Sequence, residues 1–181
     1  MKLRSRTRVF LGLLAVAAAI YAGWRLWAPA TEEVPVPAPA DTTGEGVRVV
    51  TLWVAADTGD SLVALSQPMV EREDLHARLE ALVEALSRPT RRGVPALPAG
   101  TTVLHAYLDE RGLLVLDLSR SFAQGFNGGS RAEDMAVGSL LRTVGANVPQ
   151  VRRVLLTCDG AALASLGGHV PLDRPLEIQD W

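Results

Sequence analysis

Cysteine is almost absent from this chain, with Cys158 standing alone among 181 residues. A lone thiol closes no intramolecular disulfide. The three histidines, His76, His105 and His169, share no ligand spacing, so a disulfide framework and a zinc ribbon are both excluded. Aromatic residues make up only 5% of the chain, which argues against an extended stacking groove for sugars. Neither sign of charge dominates, because 18 Lys and Arg oppose 20 Asp and Glu for a net charge of -2. A broad basic face for nucleic acid and an acidic disordered tail are therefore set aside.

What is present is a chain in three parts. Lys2, Arg4, Arg6 and Arg8 precede an uncharged run from Val9 to Trp24. As a helix, Val9 to Trp27 spans about 28 Å at a rise of 1.5 Å per residue, close to a hydrocarbon core of about 30 Å if Arg25 snorkels to the head groups. Residues 1–27 are read as an uncut single-pass anchor. A cleaved signal ending near Ala28-Pro29-Ala30 is the alternative. No cysteine follows the apolar run to take a lipid, and basic residues stay inside, so the remainder is expected on the extracytoplasmic side of the cytoplasmic membrane. Residues 28–46, with Pro29, Pro35, Pro37 and Pro39, read as a Pro/Ala-rich tether.

The domain is assigned to residues 47–181. Val47 to Ala55 is apolar on both faces and predicts a strand inside a sheet, paired through Asp57-Thr58-Gly59-Asp60 with a second strand, Leu62 to Val70. A helix follows, with Glu71, Glu73 and Asp74 at its start, Leu75, Leu79, Leu82, Val83 and Leu86 on one face, and Pro89 as its stop. Thr102 to Leu108 and Leu113 to Leu118 form a second strand pair. Ser130 and Glu133 have the spacing of a capping box and announce a second helix facing the core through Met135, Ala136, Leu140, Thr143 and Val144. Val151 to Cys158 and Ala162 to Leu166 complete the order ββαββαββ. The expected fold is α+β, a single domain with two helices packed on one mainly antiparallel sheet.

Candidate chemistry is thin. Cys158 and His169 are the one nucleophile–base pair near in sequence, but Cys158 ends an apolar strand, where a small buried hydrophobe is the ordinary reading. Ser130 with His105 is already explained by capping. Asp117, Asp159 and Asp173 stand at strand ends and turns with no spacing that enforces convergence. Asn127-Gly128-Gly129-Ser130 opens a helix as an anion cradle does, yet lacks the lysine of a phosphate loop. No catalytic residue, metal ligand or cofactor is assigned.

Several pieces in order resemble one family: Leu79 to Pro89, Leu97-Pro98-Ala99-Gly100-Thr101, Val115-Leu116-Asp117-Leu118-Ser119 with Phe122, the Gly129-Ser130 helix start, Asp159-Gly160, and Gly168-His169. Together they resemble the GerMN domain, the sporulation and spore germination module of GerM-type envelope proteins and LpqB-type lipoproteins. The resemblance covers nearly all of residues 47–181. It implies a non-enzymatic exported domain that organises an envelope complex with a protein partner, and it carries no catalytic residue. Asp117, Ser119, Gly129, Asp159, Gly160 and Gly168 match its motif positions and are expected to form the fold. Two departures are Arg88-Pro89 after the first helix, where relatives often have Gly-Pro, and Arg142-Thr143 in the second, where they often have Asn-Thr. A binder of small ligands or cell-wall glycan is the runner-up reading, and a hydrolase using Cys158 or the carboxylates is remote.

Overall fold

The computed structural model describes residues 46–90 and 93–181; the predicted anchor and nearly all of the tether lie outside the described residues. Strands β1 (Val47–Ala55) and β2 (Leu62–Val70) form an antiparallel hairpin in which Val47 faces Val70 and Ala55 faces Leu62. Helix α1 (Leu75–Leu86) starts at Asp74, whose carboxylate accepts from the Ala77 N–H as an N-cap. Glu71, Glu73 and Asp74 thus precede the helix and do not occupy its first turn. Leu79, Leu82, Val83 and Leu86 are its buried face, and Glu84 pairs with Arg88.

Strands β3 (Val103–Leu108) and β4 (Leu113–Leu118) form the second antiparallel pair. A single turn, α2 (Ser121–Gln124), and the long helix α3 (Ser130–Asn147) then lead to β5 (Arg153–Cys158), which runs parallel to β4. Parallel pairing follows from the helical crossover that joins the two strands. The short strands β6 (Ala161–Ala162) and β7 (Leu176–Glu177) both pair antiparallel with β5, and a 3-10 turn (Ile178–Asp180) follows.

The α+β class and the mainly antiparallel pairing are as expected, but the strands divide into two sheets: β1-β2, and β3-β4-β5 with β6 and β7 on the far side of β5. The predicted last strand shrinks to Ala161–Ala162, because the chain leaves β5 after two residues to bind the start of α3. The core gathers Val50, Leu52 and Val54 of β1, the α1 face, Leu114, Leu116 and Leu118 of β4, Leu140, Leu141 and Val144 of α3, and Val154 and Leu156 of β5. Residues 136–141 of α3 are all buried, so the helix is surrounded and does not merely present one stripe.

The expectation that β1 lies between two strands is also corrected. Its second edge is covered by α3, whose side chains bond the β1 backbone in place of a strand. The Thr51 N–H donates to Asn147 Oδ1 at 3.0 Å, and Asn147 Nδ2 donates to the Thr51 carbonyl at 2.7 Å. The Trp53 N–H donates to Thr143 Oγ1 at 2.9 Å, and the Ser139 hydroxyl donates to the Trp53 carbonyl. Ser139, Thr143 and Asn147 recur every fourth residue, so one helix face supplies a column of polar groups matched to alternate strand residues. Because Thr51 and Trp53 aim their backbone away from β2, their neighbours Ser66 and Ala64, and by the same alternation Pro68, aim theirs at the outer edge of β2, which pairs with no other strand among the described residues. Pro68 therefore removes no bond from the hairpin and blunts that edge against pairing.

Candidate functional site

Four of the motif residues meet at one end of the parallel β4-β5 pair. Asp117 is 7% exposed and lies in register between His105 of β3 and Thr157 of β5. Its Oδ1 accepts from Thr157 Oγ1 at 2.8 Å and from the Gly160 N–H at 3.0 Å, and His105 Nδ1 stands 3.5 Å from Oδ2. Burial pushes the Asp117 pKa up, but the Gly160 amide, the Thr157 hydroxyl and His105 outweigh it and hold the carboxyl below its ordinary value. Asp159 and Gly160 both adopt left-handed backbone, with φ of 55° and 75°, as the two-residue turn joining β5 to β6 requires. Asp159 also pairs with Arg120. Ser119 Oγ accepts from the Thr102 N–H at 3.0 Å and donates to the Gly100 carbonyl, binding the Pro98–Thr101 turn to the end of β4.

A second cluster forms at the start of α3. The predicted capping box is absent: Gly129 is the N-cap, with no side-chain cap bond, and Ser130 is the exposed first helical residue. Glu133 turns instead into the loop before β7. Its side chain is fully buried, and it accepts from the Leu166 N–H at 2.8 Å, the His169 N–H at 2.9 Å and, at 3.1 Å, His169 Nδ1. Burial alone would raise its pKa, but the amides of Gly167, His169, Leu166 and Val170 together bring it down to about 2. The loop can wrap so closely because a Cβ on Gly167 would stand 3.1 Å from Glu133 Oε2, and because Gly168 takes a φ of 88°. Gly129 itself has open space and ordinary φ, so glycine is tolerated there; at Gly128 a Cβ would meet that of Ala132 at 2.4 Å.

The remaining candidates do not converge. Cys158 Sγ faces the Ser119 carbonyl at 3.5 Å, whereas His169 is held by Glu133, so the thiol and imidazole belong to different clusters. Ser130 and His105 likewise lie apart, on the second cluster and the first. Asp173 is in an exposed loop, and His76 is half-buried on α1. Among the described residues no group of three or more His, Cys, Asp or Glu is placed to hold a metal ion. Both buried carboxylates are ionised acceptors already filled by donors, and each ties distant segments together.

Sequence reasoning missed a third place. The Arg142 guanidinium lies 4.9 Å over the Trp53 ring centroid. Trp53, Arg142, Gly145, Ala146, Ile178 and Trp181 line an open depression beside it. Its walls close in because two glycines on one stripe of α3 admit the C-terminal turn: a Cβ on Gly145 would stand 2.6 Å from Ile178 Cγ2, and one on Gly138, two turns earlier, 3.3 Å from the Trp181 ring. Glycines seven residues apart on α3 were the available signal.

The chain matches the Germane family, described as sporulation and spore germination, over residues 28–164. Its structure is similar to the tandem GerMN domains of the sporulation protein GerM from Bacillus subtilis, with a TM-score of 0.61 and 21% identity, covering 74% of this chain and 47% of that one. The chain thus spans about half of the tandem structure. The first GerMN domain alone gives a TM-score of 0.59 at 20% identity, covering 74% of this chain and 99% of the domain. A Clostridium perfringens protein described as a candidate lipoprotein gives 0.52 at 21% identity, covering 75% of this chain and 90% of that one. No curated protein sequence matches the chain.

Proposed function

The chain belongs to the Germane family of sporulation and spore germination proteins, and from that premise we propose that it is a membrane-anchored extracytoplasmic domain that organises a cell-envelope complex without catalysing a reaction. The observation that carries this reading is the state of Asp117 and Glu133. Both are ionised and filled by backbone and side-chain donors, and both serve to join segments, so neither is free to exchange a proton with a substrate. The motif positions then make a rigid scaffold whose surfaces remain for a partner.

Anchoring rests on the basic residues and apolar run of residues 1–27. Among the described residues no helix is long and apolar enough to cross a membrane. The Clostridium protein is described as a candidate lipoprotein; here the only cysteine is Cys158, far from the N-terminus, so the apolar segment is the attachment this sequence offers. Confinement to one membrane raises the effective concentration of weakly interacting partners without any new contact. The test expresses residues 47–181 without the anchor, in the same compartment and at native level, in cells lacking the full chain. Loss of function is expected; full rescue overturns the scaffold reading.

Binding of a small ligand or cell-wall glycan is the second reading, favoured by the depression between Trp53 and Trp181. Titration with soluble wall fragments, read by calorimetry and abolished by Trp53→Ala, would replace the scaffold with a diffusible-ligand binder.

A further inference from the structure

We propose that the surface running from Trp53, Arg142 and Trp181 across the outer face of β1 and β2 is the docking site of a partner polypeptide that presents a carboxylate beside aliphatic side chains. This rests on the scaffold reading and names the chemistry of the partner.

The carboxylate is called for by Arg142. Among the described residues its Nε is the one buried side-chain nitrogen or oxygen without a hydrogen-bond partner. Arg142 belongs to none of the ion pairs found among those residues. Its guanidinium is held by stacking on Trp53 at the wall of an open depression. Nε itself is covered, so an incoming acceptor meets the guanidinium through its terminal nitrogens, which are neither buried nor hydrogen-bonded among the described residues. The planar fork of arginine suits a carboxylate, which accepts two parallel bonds from it.

The aliphatic part is called for by the face that leads away from Arg142. Residues whose side chains point outward alternate along both strands: Val47, Val49, Thr51 and Trp53 on β1, paired with Val70, Pro68, Ser66 and Ala64 on β2. None is charged. Val47 is 53% exposed, and Val49 and Val70 are each 66% exposed. From Val47 to Trp53 the strip is about 20 Å long, at about 3.3 Å per strand residue. That is the length of about six residues of an extended partner segment.

A polypeptide fits this pattern better than the other occupants. A bilayer contact asks for basic groups around the whole apolar patch, whereas here Arg142 stands at one end beside a depression and Arg48 and Arg72, at the Val70 end, are accompanied by Glu71. A soluble sugar would fill the depression and leave the valines bare. A second copy meeting this face through a two-fold axis would set one uncharged strip against another and bring a second arginine to the interface.

The experiment pans random twelve-residue peptides displayed on phage against the full-length chain in lipid nanodiscs, with empty nanodiscs as counter-selection. Enriched peptides should share an Asp or Glu next to Val, Ile or Leu. For their synthetic versions, Kd should rise at least tenfold when the peptide carboxylate becomes an amide and when the chain carries Arg142→Gln. Arg142→Lys should retain part of the affinity, and Val49→Ser should weaken binding several-fold. Val49 is exposed, so Val49→Ser keeps the fold intact even if Arg142→Gln lowers the melting temperature.

No enrichment, peptides without an acidic residue, or affinities unchanged by both Arg142→Gln and Val49→Ser overturn the proposal. So does a face that recognises only vesicles of anionic lipid, wall fragments or a second copy of this chain. Rescue by the untethered fragment with peptide binding intact would remove the scaffold reading and leave the docking site. Failed rescue with no peptide binding would do the reverse.

Discussion

Asn147, in the last turn of α3, forms with Thr51 of β1 the two bonds that a neighbouring strand would otherwise form, accepting from its N–H and donating to its carbonyl. A third bond, from Asn147 Nδ2 to the Thr143 carbonyl, fixes the amide in the helix. The contact joins residues 96 apart in sequence. With Thr143 and Ser139 on Trp53, it makes the helix the second edge of a two-stranded sheet that would be marginal by itself.

Asn147→Ala should therefore be costly. Both backbone groups of Thr51 lose their partner inside the protein, and a buried polar group without a partner costs about 1–3 kcal/mol. The expected loss is about 2–4 kcal/mol for the pair, checked by urea unfolding. Native-state hydrogen exchange should show the Thr51 amide opening faster than the amides of β4. An unchanged midpoint would mean that the hairpin is held by its apolar face alone.

Glu133 makes acid stability specific. Its folded pKa of about 2 lies below the ordinary 4.5, so its contribution is fully present above pH 4.5 and is lost as the pH falls toward 2. A shift of this size corresponds to roughly 3 kcal/mol at neutral pH. Glu133→Gln should lower neutral-pH stability by an amount of that order and flatten the stability profile between about pH 4.5 and 2. Chemical denaturation across that window checks both. Equal acid dependence in the two proteins would assign the transition to other carboxylates.

Gly145→Leu should displace Ile178, which leaves no room for a Cβ. Overpacking of this kind costs about 1–3 kcal/mol. The C-terminal turn should become sensitive to limited proteolysis while the β4-β5 sheet keeps its protection. Cleavage no faster than in the wild type would show that the turn has another hold on the domain.

Cys158→Ser and His169→Ala should each leave cellular function intact. Serine can make the bond that the thiol directs at the Ser119 carbonyl, and the backbone N–H of residue 169 still reaches Glu133. Complementation is the measurement. Complete loss in a variant with unchanged melting behaviour would return the hydrolase reading to the front.

The N-terminal segment should be retained in the mature protein. Mass spectrometry should find peptides from residues 1–27, and the chain should stay with membranes through a high-salt wash. A mature N-terminus at Thr31 would make the segment a cleaved signal.

Local chemistry makes much of the domain legible in the sequence alone. An apolar run and the turn residues after it placed β1 and β2, and a helical apolar repeat placed α1, all to within a residue or two, because turn chemistry and a buried helix face are both local signals. Asp159-Gly160 was readable as a turn for the same local reason, since the backbone there must enter a left-handed region. The resemblance likewise rested on short, ordered pieces of sequence.

What stayed hidden was the use of polar groups over long separations. Glu133 has the spacing of a capping residue, and only the return of residues 166–170 decides that it binds them instead. Ser139 and Asn147 have no signature of their own, because a helical serine and asparagine read as solvent-facing until a strand edge is laid against them, and Thr143, read as facing the core, gave no sign that its hydroxyl meets β1. The same holds for Arg142, whose environment is assembled from β1, α3 and the C-terminal turn. Sequence by itself determined which segments become helix or strand and which face of α1 seeks the core, since those preferences act between neighbours. Tertiary structure alone decided the split into two sheets, the helix that closes one of them and the unfilled guanidinium, because hydrogen-bond partners are chosen by proximity in space.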